Sequence, residues 1–214
     1  MIKAVIFDFD GVLVDSLPLA VDANNALFKK LGAIKTCKDK DEFRTNFCMS
    51  FDEQFAKYGV KLENAEKNFG EFYYNYLVNH KNKMKPNPAI HPVLEKLSQK
   101  YKLAVVSSSW YGVVHTTLKD HGILDYFESI STIENPGSKS ERLLQTLKFL
   151  NIEPHEAIYI GDMAHDIVSG RKAQIKTIII HSNISWNHRK DIVKNSPDVL
   201  IEHPEQILEV LENE

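Results

Sequence analysis

The chain is 214 residues long, with 43% hydrophobic and 26% charged residues, which suits a globular protein with one substantial core, or one core plus a small insert. Its net charge is −3 and its lysines are scattered, so it lacks the basic face that nucleic-acid binding needs. No apolar run approaches the ~18 residues of a membrane span, and the stretch before Asp8 is too short for an export signal, so a cytoplasmic protein that uses neither membrane nor nucleic acid is expected.

The first element is the run Ile2 to Phe7, which is apolar throughout. A strand buried on both faces, as in a parallel sheet, has this character. It ends in Asp8-Phe9-Asp10-Gly11-Val12. In open α/β sheets ligands sit at the carboxyl ends of strands, and acids leaving a buried strand are costly unless something pairs them. A divalent cation is an effective partner, because Mg²⁺ favours carboxylates together with phosphate oxygens. Gly11 permits a sharp turn that brings backbone amides close to a ligand. An isolated Asp-x-Asp-Gly is better explained by a strand-end Asp capping a turn.

From about Leu17 to Lys85 the strand signal disappears. Ala20 to Leu31, Asp41 to Phe47, Phe51 to Tyr58 and Ala65 to Val78 pattern as helices. The aromatic group Phe69, Phe72, Tyr73, Tyr74 and Tyr76 fits the core of a helical bundle better than a ligand box. Cys37 and Cys48 lack zinc spacing and are expected as free thiols. Arg44, the sole Arg of this stretch, can grip a carboxylate or second anion bidentately, or sit on a charged helix surface. Lys85-Pro86-Asn87-Pro88 reads as a stiff connector. A helical module, residues 17–86, therefore interrupts an α/β domain made of residues 1–16 and 87–214.

Strand and helix then alternate. Pro92 to Lys100 is a helix with Val93, Leu94 and Leu97 on one side. The strand Leu103 to Val106 runs into Ser107-Ser108-Ser109, whose hydroxyls can donate to a phosphate or form a turn or helix cap. Trp110 and Tyr111 follow, as pocket rim or as packing. The helix Tyr111 to Asp120 and a weaker strand, Ser129 to Ile133, come next. Lys139 precedes a helix, Ser140 to Leu150, with Leu143, Leu144, Leu147 and Leu150 at helical spacing. This lysine either counters clustered negative charge or is solvated. The strand Ala157 to Ile160 ends in Gly161-Asp162, with Asp166 at the start of the helix Asp166 to Ala173. Both acids can face one point there, or complement the helix dipole. His165 between them reads as an exposed helix residue, and His181 and His188 near Trp186 have no assigned partner. Thr177 to Ile180, Val199 to Ile201 and the helix Pro204 to Leu211 complete an α/β fold with a parallel sheet and right-handed crossovers. Each polar group has a structural explanation by itself. Four acids, a serine and a lysine at strand ends or nearby loops together describe a converging site for an anionic ligand.

The order and spacing of these pieces resemble the haloacid dehalogenase superfamily, most closely the subgroup containing phosphoglycolate phosphatase and β-phosphoglucomutase. The motif from Asp8 to Ser16, Asp-Phe-Asp-Gly-Val-Leu-Val-Asp-Ser, is highly specific, and Gly161-Asp162-x-x-x-Asp166 moderately so. Ser107 and Lys139 match weak motifs that gain force from position. The resemblance implies a Rossmann-like core with an inserted α-helical cap that closes over the site and reads the substrate. It implies that Asp8 attacks phosphorus to form an aspartyl-phosphate and that Asp10 protonates the leaving alcohol and then activates water. It implies Mg²⁺ held by the Asp8 side chain, the Asp10 backbone carbonyl and Asp162, with Asp166 supporting the metal directly or through water. Ser107 and Lys139, assisted by Ser108 and the amides around Gly11, would bind the transferring phosphoryl group. An acid at Asp10 sets the chain apart from the family's dehalogenases and phosphonate hydrolases. The implied activity is a Mg²⁺-dependent phosphatase acting on a small phosphorylated molecule, phosphoglycolate-like or a sugar phosphate, as a monomer. A sugar phosphomutase uses the same motifs, and a non-catalytic binding protein could keep the fold. Two positions depart from the pattern: Ser140 stands where many relatives have Pro, and Gln174 where Gly is more common, which puts the local helix end in question.

Overall fold

The computed structural model describes residues 1–48, 51–60 and 69–214. In chain order the elements are β1 (Ala4–Phe7), β2 (Val14–Asp15), α1 (Leu17–Lys30), α2 (Lys40–Asn46), α3 (Phe51–Lys57), α4 (Phe69–Asn79), β3 (Lys85–Pro86), α5 (Ile90–Ser98), β4 (Lys102–Val106), α6 (Tyr111–Asp120), β5 (Ser129–Ser131), α7 (Lys139–Leu150), β6 (Ala157–Gly161), α8 (Ala164–Lys172), β7 (Lys176–Ile180), α9 (Arg189–Lys194), β8 (Val199–Ile201) and α10 (Gln206–Glu212). They form two compact units, Met1–Asp15 with Lys85–Glu214, and Ser16–Met84.

The first unit is built on a six-stranded sheet in the order β5-β4-β1-β6-β7-β8, with every neighbouring pair parallel. All four residues of β1 are fully buried, which explains why the run is apolar without alternation. One face of the sheet packs Ile6, Ala104 and Tyr159 against Leu143, Leu147 and Leu150 of α7. The expected strands all form. The run Lys85-Pro86, part of the expected stiff connector, pairs antiparallel with Val14–Asp15 in a two-residue ladder, with no third strand joining this small sheet among the described residues. A proline is tolerated there because no interior ladder bond depends on its missing N–H. Helix α9 leaves no amphipathic pattern in the sequence because its short span buries only Ile192. Helix α7 also corrects the sequence pattern. Leu144 is exposed, and its expected share of the buried stripe is taken by Arg142 and Thr146. Gln174 adopts the left-handed φ of 58° that a glycine would take without strain, so the departure noted at this helix end carries a backbone cost.

The second unit is helical. Phe28 of α1 stacks on Tyr58 at 4.4 Å and meets Phe55 edge-on at 5.8 Å. Asn24 ties the interior together, donating to Tyr73 Oη at 3.2 Å and accepting from Gln54 at 3.4 Å. Within the aromatic group expected to form this core, Tyr73 is buried, while Phe72, Tyr74 and Tyr76 are half-buried. Residues 65–68 of the helix expected over 65–78 lie outside the described residues; the helix runs from Phe69 to Asn79. Cys37 and Cys48 are both free thiols. Among the described residues no helix is long and apolar enough to cross a membrane.

Candidate active site

The strand order reverses beside β1. After β1 the sheet grows through β4 and β5 on one side, and after β6 through β7 and β8 on the other. Such a switch point leaves a crevice at the carboxyl ends of the central strands. Asp8 follows β1 and Asp162 follows β6, and the register pairs Phe7 with Ile160. The Asp8 amide extends this ladder by donating to the Ile160 carbonyl at 2.8 Å. Ser107 follows β4 and donates its amide to Ser131 at 2.9 Å. The sheet register therefore carries three chain segments to one point.

The side chains converge there. Lys139, the first residue of α7, donates to Asp8 Oδ2 at 2.7 Å and to Asp166 Oδ1 at 2.6 Å. A cation at a helix N-terminus opposes the dipole, and this one is also buried, so the two carboxylates must hold it. Its reading as a solvated surface lysine is thereby excluded. The capping box between Ser138 and Glu141 fixes the turn from which it projects. Asp8 Oδ1 accepts from the Phe9 amide at 2.7 Å, so both oxygens of this carboxylate are oriented. Asp166 is more fully engaged. Its Oδ1 accepts from Lys139 and, at 2.9 Å, from Tyr159 Oη; its Oδ2 accepts from the amides of Asp162 and Met163 at 3.1 and 3.0 Å.

Asp162 differs. Its Oδ2 accepts from the Trp186 amide at 2.6 Å, but its Oδ1 is buried and has no hydrogen-bond partner among the described residues. Asp8, Asp162 and Asp166 each offer one carboxylate oxygen within 4.8 Å of the others, all buried. Burial raises the Asp8 carboxyl to about 7 against the opposing pull of Lys139, with Asp166 and Asp10 adding to the rise. Burial, with Asp166 and Asp8 nearby, pushes Asp162 well above the carboxylate range. Asp166 moves the other way: burial would raise it, but Lys139 and the Tyr159 hydroxyl hold it low. Burial would lower Lys139, and Asp166 with Asp8 outweighs it, so the ammonium stays charged. One lysine faces three buried carboxylates, one of which keeps an unused oxygen. A hard divalent cation such as Mg²⁺ fits this donor set and would restore the ionised forms of Asp8 and Asp162.

Two glycines make the close approach possible. Gly11 has φ +71°, and a Cβ there would lie 2.1 Å from Asp162 Oδ2. Its role includes clearing space for that carboxylate, which the sequence did not reveal. A Cβ on Gly161 would meet the Asp166 carboxylate at 2.5 Å. Across the crevice Ser109 Oγ donates to Asp10 Oδ2 at 2.5 Å. Ser107 Oγ accepts from the Ser109 amide at 3.0 Å, which leaves the Ser107 hydroxyl proton available for a ligand. Ser108 between them is half-buried. The serine run does not supply the cap of α6, whose N-cap residue is Trp110.

Asp8, Asp10, Gly11, Ser107, Lys139, Asp162 and Asp166 thus meet in one unit. Arg44 belongs to the other, where it forms an ion pair with Asp41 at 2.7 Å. His165 is half-buried rather than exposed, and burial lowers its pKa. Ser109, with its hydroxyl expected to face a phosphate or a turn, instead donates to Asp10, and Tyr159 and Trp186 join the site without a sequence signal. Tyr159 is hidden inside an apolar strand, and Trp186 acts through its backbone amide, which has no side-chain signature. Tyr111 is exposed and anchors its amide on Glu134.

Comparisons with known proteins agree with this architecture. The family model described as haloacid dehalogenase-like hydrolase matches residues 5–180. A phosphoglycolate phosphatase from Aquifex aeolicus is 28% identical, over 99% of this chain and 97% of the relative. A pyrophosphatase PpaX from Bacillus cereus is 26% identical, over 99% and 97%. Among solved structures, a haloacid dehalogenase-like hydrolase from Streptococcus pneumoniae superposes with a TM-score of 0.83 at 24% identity, covering 98% of both chains. CbbY from Rhodobacter sphaeroides, in complex with xylulose-1,5-bisphosphate, superposes with a TM-score of 0.79 at 17% identity, covering 95% of both.

Proposed function

Since the chain belongs to the haloacid dehalogenase-like hydrolase family, we propose that it is a Mg²⁺-dependent phosphatase that cleaves a small-molecule phosphate monoester through an aspartyl-phosphate on Asp8. The observation that carries this reading is the buried array in which Lys139 bridges Asp8 and Asp166 while Asp162 Oδ1 has no partner among the described residues. Buried carboxylate oxygens in structural networks are in the great majority hydrogen-bonded, so an open one beside two further buried carboxylates supports a ligand site.

In this reading an Asp8 oxygen attacks phosphorus, and the ester P–O bond breaks as the new bond forms. Asp10 gives its proton to the departing alkoxide, then takes one from the water that cleaves the aspartyl-phosphate and releases inorganic phosphate. Ser109 donates to Asp10 Oδ2 at 2.5 Å, which orients this carboxyl for the proton transfer. Lys139 and the Ser107 hydroxyl bind the phosphoryl oxygens, aided by Ser108 and the amides near Gly11. Asp8, Asp162 and the Asp10 main-chain carbonyl would hold Mg²⁺, with Asp166 supporting the site directly or through water, and the bound ion would supply charge to offset the incoming phosphate. All these groups come from one chain, in keeping with a monomer.

The helical unit is read as the family's inserted cap, with Arg44 as a grip for a second anion on the substrate. The relatives named for phosphoglycolate and pyrophosphate make small, doubly anionic phosphate compounds the first substrates to try. The test is phosphate release from a panel of such compounds, with Mg²⁺ or EDTA, by the native protein and Asp8→Asn. Metal-dependent release that disappears in the variant supports the reading. An isomerised sugar phosphate without free phosphate would mark a mutase instead, and no turnover at all would mark a binding protein.

A further inference from the structure

One buried cation has no part in that chemistry. Arg142 is 2% exposed, one turn after Lys139 on the same face of α7. Among the described residues no carboxylate pairs with it. Its Nη2 donates to the Ser107 carbonyl at 3.2 Å and its Nη1 to the Gly137 carbonyl at 3.1 Å, while Nε is buried without a partner among the described residues. Gly137 lies in the turn that launches α7, with φ +96°, and Gln145 holds the preceding Pro136 carbonyl at 3.3 Å. Side chains of the helix thus fold back to fasten the turn from which Lys139 projects.

We propose that Arg142 is a positioning residue for the phosphate-binding pair: its guanidinium bridges the end of β4, which carries Ser107, to the turn that carries Lys139. The inference rests on the phosphatase reading above. A buried guanidinium held by two neutral carbonyls is a poor source of stability, because its desolvation cost is repaid weakly. An apolar side chain would complete the face formed by Leu143, Leu147 and Leu150 more cheaply. A planar fork, in contrast, sets the spacing of two backbone segments in a way that neither a lysine nor an apolar residue reproduces. Ser107 and Lys139 reach the same point from different elements, so their spacing must be imposed from outside either one.

The test compares the full chain with Arg142→Met and Arg142→Lys, measuring kcat and KM for the best ester at saturating Mg²⁺. Affinity for inorganic phosphate by calorimetry and melting temperature are measured alongside. In Arg142→Met, KM and the phosphate Kd are expected to rise about tenfold, with Tm unchanged or higher. Arg142→Lys, which reaches one carbonyl at a time, should fall between. Native KM and phosphate affinity in Arg142→Met overturn the proposal, as does a fall in kcat alone, which marks a smaller folded fraction. Should Arg142→Met not fold, Arg142→Lys decides: native constants overturn the proposal, and a several-fold rise in KM at native Tm supports it. Failure of the native protein to release phosphate from any ester, while still binding phosphate more tightly than the variants, would sink the phosphatase reading and leave the positioning role standing. Native protein that neither hydrolyses nor binds phosphate would overturn both.

Discussion

The two units solve different problems with their buried polar groups. In the α/β unit, Lys139, Asp8, Asp162 and Asp166 are buried in a cluster that is left electrostatically incomplete, with a carboxylate oxygen open and two carboxyls pushed up in pKa. In the helical unit, Asn24, Gln54 and Tyr73 satisfy one another and the backbone. The first arrangement stores a demand for a ligand; the second serves packing. Incomplete satisfaction, rather than burial of polar groups as such, distinguishes a reactive centre from a structural network.

That contrast can be broken at its strongest point by removing the lysine. Lys139→Met leaves Asp8 and Asp166 uncompensated. It should cut phosphate release by about 10³-fold and destabilise the metal-free protein by roughly 3 kcal/mol, read by kinetics and by denaturant unfolding. Retained turnover would mean that the buried pair is structural. Gly11→Ala comes next. The left-handed φ and the 2.1 Å approach of a Cβ to Asp162 Oδ2 predict about a 10²-fold loss of activity, traced to weaker Mg²⁺ binding in a metal titration. Unaltered Mg²⁺ affinity would remove Asp162 from the metal site.

A subtler consequence concerns pH. The folded Asp8 carboxyl titrates near 7 rather than at its ordinary 3.8, so the folded state holds this proton more tightly than the unfolded chain does. Its contribution to metal-free stability therefore falls as pH rises between those values and is level above them. Asp162 acts in the same direction. A bound cation takes the proton's place, so the rise in Tm on adding Mg²⁺ should be larger at pH 8 than at pH 5. Equal rises would show that these carboxylates do not hold the metal. The smallest effect belongs to the helical unit. Arg44→Ala should leave kcat unchanged and raise KM for a doubly anionic substrate several-fold, and an unchanged KM would leave Arg44 a structural partner of Asp41.

The same contrast governs what could be read in advance. Strand β1 declared itself because burial on both faces demands an unbroken apolar run, and Asp8 and Asp10 stood out against it. Asp162 and Asp166 were visible for the same reason at the end of β6. The burial of Lys139 was not, since a lysine at a helix start looks solvated until the facing acids are placed. Leu144 is exposed and Arg142 buried because a periodic leucine pattern cannot reveal a polar demand imposed by a neighbouring loop. The Trp186 amide and the clearance at Gly11 arise only from tertiary approach. In the helical unit the helices were legible from periodicity, but the partners of Asn24 depend on three separate segments meeting.

The proposed chemistry rests on Asp8. Phosphate release should require Mg²⁺ in the native protein and vanish in Asp8→Asn, while the variant keeps its fold. Phosphorus-31 spectra or acid-trapping should detect phosphate on the native chain during turnover and none on the variant. Release that persists undiminished in folded Asp8→Asn, or in EDTA, would contradict the assignment of the buried carboxylate array as the reacting centre.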